Sequence, residues 1–190
     1  HDALPISARL PDAQWQMLYD AALRALVLLS PEDVYPGPYT YKRFWFRDAV
    51  VIGHAMLCTG MTRRLRRIVD DFSSRQKLNG YFHSQSGEWD SNGQVLWLYR
   101  RFCELTGELP PADWRKPAES AAEWIIHKRT PPDSGEPHAG LLPAGFSAEH
   151  LGNNDYYYWD DFWSVAGLRA AAWLCRAWGR EGKANTYRAQ

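Results

Sequence analysis

Residues 155–163 combine, more than any other stretch, the side chains that could do chemistry, and they read D-Y-Y-Y-W-D-D-F-W. Six of the nine are aromatic and three are carboxylates. Aromatic rings can stack on the apolar face of a ligand, and carboxylates accept hydrogen bonds from hydroxyls at its edge. A sugar ring is the commonest ligand with both features, so the segment suggests a carbohydrate site.

Two earlier segments repeat this combination of aromatic and polar side chains. Residues 44–48 read F-W-F-R-D, and residues 89–94 read W-D-S-N-G-Q. Each of the three segments comes directly before an apolar run that predicts a helix. The candidate substrate-binding residues are Trp45, Arg47, Asp48, Trp89, Asp90, Asn92, Gln94, Tyr158, Trp159 and Trp163.

Within these segments the ionisable residues suggest specific roles. Arg47 is a forked hydrogen-bond donor and Asp48 an acceptor, so together they could bind a pair of vicinal hydroxyls. Asp160 and Asp161 are candidate catalytic residues, because burial among aromatic rings favours the protonated carboxyl that a general acid requires. Helix capping is the competing interpretation, since acidic residues are favoured at helix N-termini whatever their function.

The elements that would position these residues are all helical. Helices predicted at about 47–60, 93–106 and 160–179 are apolar on nearly every side, whereas those at about 62–77 and 112–128 are amphipathic. This alternation indicates inner helices wrapped by outer ones. We therefore predict an all-α fold, an incomplete (α/α)6 toroid of helical hairpins with about six to seven helices present. If the inner helices run parallel, the three aromatic and polar segments lie together at one end of the toroid.

A long loop is predicted between residues 130 and 158, where glycine and proline are frequent. Loops of this length are commonly lids or binding loops. His138, Glu149, His150 and Asp155 lie in it without compact ligand spacing, so we expect no metal and no cofactor. Glu149 and His150 fit better as part of a lid that contacts sugar hydroxyls.

Composition narrows the classes of partner. Lys plus Arg (22) equals Asp plus Glu (22), so the formal net charge of zero argues against nucleic acid and anionic membranes as partners. No apolar run reaches the roughly 18 residues of a membrane span. Cys58, Cys103 and Cys175 are scattered through apolar helical patterns, which predicts buried, reduced thiols. No signal peptide is recognisable, and we expect a cytoplasmic protein.

The 190 residues suit one domain or part of a larger one. Residues 1–7, H-D-A-L-P-I-S, look like translated sequencing-adaptor DNA, and we exclude them from the fold. Residues 8–190 are predicted to be a partial (α/α)6 catalytic domain, which makes the chain a piece of a longer protein.

All three segments resemble motifs of the glucoamylases. R-F-W-F-R-D-A resembles their W-x-R-D-A segment, and Y-W-D-D-F-W resembles their W-E-E segment. E-W-D-S-N-G-Q-V-L-W is similar to the Gln- and Asp-containing segment that opens a later inner helix in those enzymes. The wider group is the six-hairpin glycosidases, which includes trehalases and glycogen-debranching glucosidases. The resemblance extends over residues 35–178 through short motifs.

The resemblance implies an (α/α)6 barrel that hydrolyses α-glucosidic bonds in oligo- or polysaccharides, mostly with inversion. It implies that Arg47 and Asp48 hold the terminal glucose, that Asp160 is the general acid and that Asp161 is its neighbour. Glucoamylases have Glu at the last two positions, so the fit to glucoamylases proper is weaker, although some relatives use Asp. The family's general base comes late in the barrel, beyond residue 190.

Two other functions fit the same residues. A carbohydrate-binding or regulatory module would bind sugar without turnover. Another α/α-toroid sugar enzyme, namely a phosphorylase, lyase or epimerase, would share the architecture and differ in its products.

Overall fold

The computed structural model describes residues 7–149 and 151–190, so His150 and residues 1–6 of the predicted adaptor segment lie outside the described residues. Within these ranges the chain forms seven α-helices and no β-strand, which confirms the all-α class. The chain divides into two compact units, His1–Asp71 and Phe72–Gln190, called here the first and second units. None of the described helices is long and apolar enough to cross a membrane.

The first unit contains three helices: α1 (Ala13–Leu28), α2 (Phe46–Cys58) and α3 (Thr62–Asp71). The Asp12 side chain caps α1 by accepting hydrogen bonds from the backbone N–H groups of Gln14 and Trp15 at 2.8 and 3.0 Å. No residue of α1 is buried. The amphipathic character predicted for α3 is confirmed, because Leu65, Ile68 and Val69 are buried while its arginines lie on the other side.

Helix α2 is buried on one side only. Val51 is 58% exposed, and the Cys58 thiol at the end of the helix is exposed as well. The prediction that this helix is buried all round, with Cys58 a buried thiol, is therefore wrong. An almost wholly apolar sequence permits burial on every side but does not require it, because the number of packing neighbours is set by the tertiary structure.

The second unit contains four α-helices and two short 3-10 segments. The α-helices are α4 (Ser91–Thr106), α5 (Arg115–Lys128), α6 (Tyr158–Ala177) and α7 (Glu181–Arg188), and the 3-10 segments are Phe72–Arg75 and Ala112–Trp114. Helix α4 is buried nearly all round, as predicted, and Cys103 within it is a buried thiol. Helix α6 begins two residues earlier than predicted, so Tyr158 and Trp159 belong to its first turn.

Helices α4 and α6 run parallel, as contacts at both ends show. At their N-terminal ends the Trp159 indole N–H donates to the Asp90 carboxylate at 2.8 Å. At their C-terminal ends the Trp178 indole N–H donates to the Pro110 carbonyl at 2.9 Å. The predicted parallel arrangement of inner helices is therefore present for this pair.

Helices α5 and α7 run in the opposite direction. The ammonium of Lys128, at the end of α5, lies 4.0 Å above the ring of Trp89, just before the start of α4. Lys183 of α7 bonds both Glu119 and Glu123 of α5, so these two helices lie side by side. Arg129, just after α5, donates to the Gln190 carbonyl, just after α7, so the two helices run in the same direction. Helix α5 packs on both α4 and α6, and α7 packs on α6. This is the packing of consecutive antiparallel hairpins; closure into a toroid stays a prediction.

Two glycines allow α4 and α6 to touch through their backbones. A Cβ added at Gly93 would lie 2.1 Å from the Trp163 carbonyl oxygen, and one added at Gly167 would lie 2.4 Å from the Gly93 Cα. Only glycine fits such an approach without moving a backbone. The contact lies in the first turn of α4 and in the first half of α6, from Trp163 to Gly167.

We predict that Gly93→Ala lowers the free energy of unfolding by about 1–3 kcal/mol or more, because the added methyl group meets backbone that cannot move aside. Urea denaturation measures the change. Gly182→Ala is the control, since no atom lies within 4 Å of the added Cβ; in helix α7 it should stabilise by about 0.5–1 kcal/mol. Equal midpoints for wild type and Gly93→Ala would contradict the backbone contact.

Candidate functional site

Buried polar side chains are concentrated where α4 and α6 begin. Of the eight buried polar or charged residues in the described part of the chain, seven lie there: Glu88, Asp90, Ser91, Asn92, Gln94, Asp160 and Ser164. Burial of polar groups costs free energy unless hydrogen bonds compensate for the lost water. A cluster of this kind marks a site built by the fold, and we call it the helix-head site.

Asp90 is the centre of the helix-head site. Its side chain is 2% exposed, and its Oδ2 accepts hydrogen bonds from the Trp159 indole N–H at 2.8 Å and the Gln94 amide at 2.9 Å. The carboxylate therefore fixes Trp159, whose residue surface remains 43% exposed. Three residues predicted from two separate segments are brought together by these bonds.

Asn92 performs a positioning task in the same cluster. Its amide donates to the carbonyls of Gly80 and Ala121 at 3.0 and 3.1 Å, and its oxygen accepts from the Phe82 N–H at 2.8 Å. These bonds tie α4 to the segment before it and to α5. Direct contact between Asn92 and a substrate stays a prediction.

The two candidate catalytic carboxylates have different surroundings. Asp160 is 4% exposed at the head of α6. Asp161 is half-buried, and its Oδ1 accepts the Leu142 N–H at 2.9 Å, which anchors the 130–158 loop to the helix. Burial raises the pKa of Asp161, while the Leu142 hydrogen bond and the charge of Arg129 oppose the rise.

Tyr81 belongs to the site although it was not among the predicted residues. Its hydroxyl donates to the Glu88 carbonyl, with the Gln85 carbonyl 3.1 Å away. Burial raises the pKa of Tyr81 well above its usual range, and the negative charges of Asp90, Glu88 and, more weakly, Asp160 raise it further. Carboxylates from both helix heads thus act on one phenol. The only sequence signal was its place between the Asn79-Gly80 turn and the second segment.

The first turns of α6 present an exposed aromatic surface. The Tyr158 and Phe162 rings stack with centroids 6.3 Å apart, and Phe162 is 71% exposed. Trp163 is half-buried, and its ring meets those of Trp159 and Trp97 edge-on. The ring centroids are 5.8 and 5.6 Å apart, respectively. Trp159, Tyr158 and Phe162 therefore offer ring faces on which a ligand could stack.

Trp89 is held more firmly within the protein. Its indole N–H donates to the Pro143 carbonyl at 3.1 Å, and the Lys128 ammonium covers its ring at 4.0 Å. These contacts connect the 130–158 loop and α5 to the start of α4. Substrate contact by Trp89 stays a prediction.

The candidates of the first unit lie at the N-terminal end of α2. Trp45 directly precedes the helix, with the Arg43 guanidinium 3.6 Å above its ring. Arg47 and Asp48 are half-buried in the first turn. Their convergence with the helix-head site stays a prediction.

Two buried atoms of the site are without a hydrogen-bond partner within the described residues, Gln94 Oε1 and Ser164 Oγ. The site therefore contains a buried acceptor and a buried hydroxyl whose hydrogen-bonding capacity is unused. Unused capacity of this kind is common in sites that bind polar ligands. Residues 7–149 and 151–190 contain no group of three His, Cys, Asp or Glu side chains arranged to hold a metal.

Comparison with known proteins gives no match to any protein-family model, to any curated protein or to any solved structure. The resemblance to six-hairpin glycosidases therefore depends on the three sequence segments.

The Asp90–Trp159 hydrogen bond should appear as a coupling energy. In a double-mutant cycle of Asp90→Ala and Trp159→Phe we expect about 1.5–3 kcal/mol of coupling in unfolding free energy, because the bond has a charged acceptor. Asp113→Ala, an exposed position before α5, provides the control cycle with Trp159→Phe, and those effects should add within about 0.5 kcal/mol. Additivity in the first cycle would contradict the bond.

The raised pKa of Tyr81 predicts a loss of stability in alkali. The native state keeps the phenol proton, whereas the unfolded state releases it near pH 10.0, so stability is present below that pH and falls above it. Between about pH 9 and pH 11, wild type should lose roughly 1.4 kcal/mol more unfolding free energy than Tyr81→Phe. Tyr39→Phe, at an exposed position, should behave as wild type. The same loss in wild type and Tyr81→Phe would refute the assignment.

Proposed function

We propose that this chain is a glycoside hydrolase that cleaves α-glucosidic bonds of oligo- or polysaccharides with inversion, and that Asp160 is its general acid. The observation that carries the proposal is the juxtaposition of a buried carboxyl, Asp160, with the exposed ring of Trp159, which Asp90 holds in place. The resemblance of the three segments to six-hairpin glycosidases supports the same function.

The chemistry requires a protonated carboxyl at the leaving oxygen and a second carboxylate that activates water on the opposite face of the sugar. Asp160, buried at the head of α6 next to Trp159, would take the first of these roles. Trp159, with Tyr158 and Phe162 beside it, would stack on the sugar and set its distance from the acid. Asp161 would act through the loop that it holds at Leu142.

The proposed architecture is an (α/α)6 toroid in which α4 and α6 are inner helices and α5 and α7 are outer ones. The parallel course of α4 and α6, with α5 antiparallel against both, supports this assignment. In such an arrangement the heads of α4 and α6 face one cavity.

Asp160→Asn tests the acid directly. An amide cannot donate the catalytic proton, so hydrolysis of an aryl α-glucoside with a poor leaving group should fall by about 10²–10⁴-fold. The rates are measured on residues 1–190 and on the longest open reading frame that contains them. Asp155→Asn is the matched control, because this exposed carboxylate lies five residues away in the same segment; its rate should equal that of wild type.

If Asp160→Asn hydrolyses the glucoside at the wild-type rate, Asp160 is not the general acid. A loss of equal size in Asp155→Asn would show that the aryl-glucoside assay does not report on Asp160 specifically.

Binding without turnover is the second candidate function. It is favoured by one observation, that the carboxylates of Asp90 and Asp161 both accept hydrogen bonds from within the protein. Calorimetry with maltose, run beside an assay for released glucose, separates the two functions. Saturable maltose binding that Trp159→Ala abolishes would establish a binding module if neither residues 1–190 nor the longer protein releases glucose.

A further inference from the structure

Helix α1 carries an exposed apolar surface. None of its residues is buried, and Met17, Val27 and Leu28 are 58%, 37% and 76% exposed. A groove of about 270 Å³ follows the second half of the helix, where Leu23, Arg24, Val27 and Leu28 line it. Apolar surface that is gathered on one helix in this way commonly binds another protein.

Four side chains of α1 have the heptad spacing of a helix–helix contact. Met17, Asp20, Arg24 and Val27 follow one another at intervals of three, four and three residues, so they lie along one side of the helix. We call these four residues the α1 seam. Its two ends are apolar, and its centre contains two opposite charges.

The two charges at the centre of the α1 seam do not pair with each other. Asp20 and Arg24 are four residues apart, a spacing at which opposite charges on a helix can form an ion pair. Asp20 instead accepts a hydrogen bond from the Gln16 amide at 3.0 Å. The exposed guanidinium of Arg24 forms no ion pair within the described residues. Its charge is therefore available to a carboxylate from outside the chain.

The α1 seam is complementary to itself. In an antiparallel pair of α1 helices centred on Ala22, each residue lies level with the one that is equally far from Ala22 on the other copy. Asp20 then faces Arg24 of the second copy, and Met17 faces Val27 of the second copy, beside the apolar groove. Two-fold symmetry repeats each contact, which gives two ion pairs at the centre and an apolar contact at each end.

We infer that a second copy of this chain binds the α1 seam, so that two α1 helices pair antiparallel about a two-fold axis. Helix α1 has 16 residues and is about 24 Å long. Two helices of this length bury roughly 800–1,000 Å² in total, at the low end for specific interfaces. We therefore expect a reversible dimer with Kd on the order of 10–100 µM. The dimer does not depend on the proposed glycosidase function.

Sedimentation equilibrium of the 190-residue chain, between about 1 and 300 µM, measures Kd of the dimer. Asp20→Arg and Arg24→Asp each place like charges opposite one another, so each should weaken Kd at least about tenfold. Asp20→Arg/Arg24→Asp exchanges the two charges and restores an attractive pair across the two-fold axis. Its Kd should return to within about threefold of the wild-type value.

A second pair of variants tests which side of α1 forms the contact. Met17→Lys introduces a charge into the apolar end of the α1 seam and should weaken Kd at least about tenfold. Trp15→Lys is the matched control, because Trp15 is 66% exposed on the same helix but lies outside the seam. Its Kd should equal that of wild type. Urea midpoints equal to that of wild type confirm that every variant remains folded.

A chain that stays monomeric throughout this concentration range would overturn the inference. So would a charge-exchanged double variant that associates as weakly as the single variants, because the two charges would then not face each other. Species larger than a dimer would exclude a closed two-fold contact. A dimer that Trp15→Lys dissociates and Met17→Lys does not would also contradict the α1 seam.

Discussion

The structure of the second unit depends on the direct contact between α4 and α6. Because Gly93 and Gly167 lack side chains, the two backbones approach until the Trp163 carbonyl fills the space that a Cβ at position 93 would need. Buried polar side chains of both helices, among them Asp90, Asn92 and Asp160, lie near this contact. Because Asp90 is buried, its carboxylate needs hydrogen-bond donors from the protein. The Trp159 indole N–H and the Gln94 amide supply them.

The remaining parts of the site follow from that requirement. Buried polar groups are costly unless each is bonded, and a bonded network holds its members in one geometry. Separate hydrogen bonds hold the neighbouring residues: Asn92 bonds α5, Asp161 bonds the long loop, and the Tyr81 hydroxyl donates to the Glu88 carbonyl. The outcome is an aromatic surface fixed beside the buried carboxyl of Asp160, which is the preorganisation that binding or catalysis requires.

Local patterns predicted the helices well, because apolar periodicity and glycine stops act within a few residues. They also located the segments that contain Asp90, Trp159 and Asp160. The roles of individual side chains were less predictable. Asn92 bonds residues 10 to 29 positions away, and Tyr81 enters the site through backbone carbonyls, so neither role leaves a local signature. The one-sided burial of α2 likewise depends on neighbours that its own apolar sequence does not specify.

The central claim is that Trp159, held by Asp90, is the surface on which a sugar stacks. Fluorine NMR of the chain labelled with 5-fluorotryptophan tests it most directly, with the Trp159 resonance assigned from Trp159→Phe. Trp178, which bonds Pro110 at the far end of α6, is the internal reference. We predict that maltose shifts the Trp159 resonance saturably and leaves that of Trp178 in place. A Trp159 resonance that does not move, or equal shifts at both tryptophans, would contradict the account.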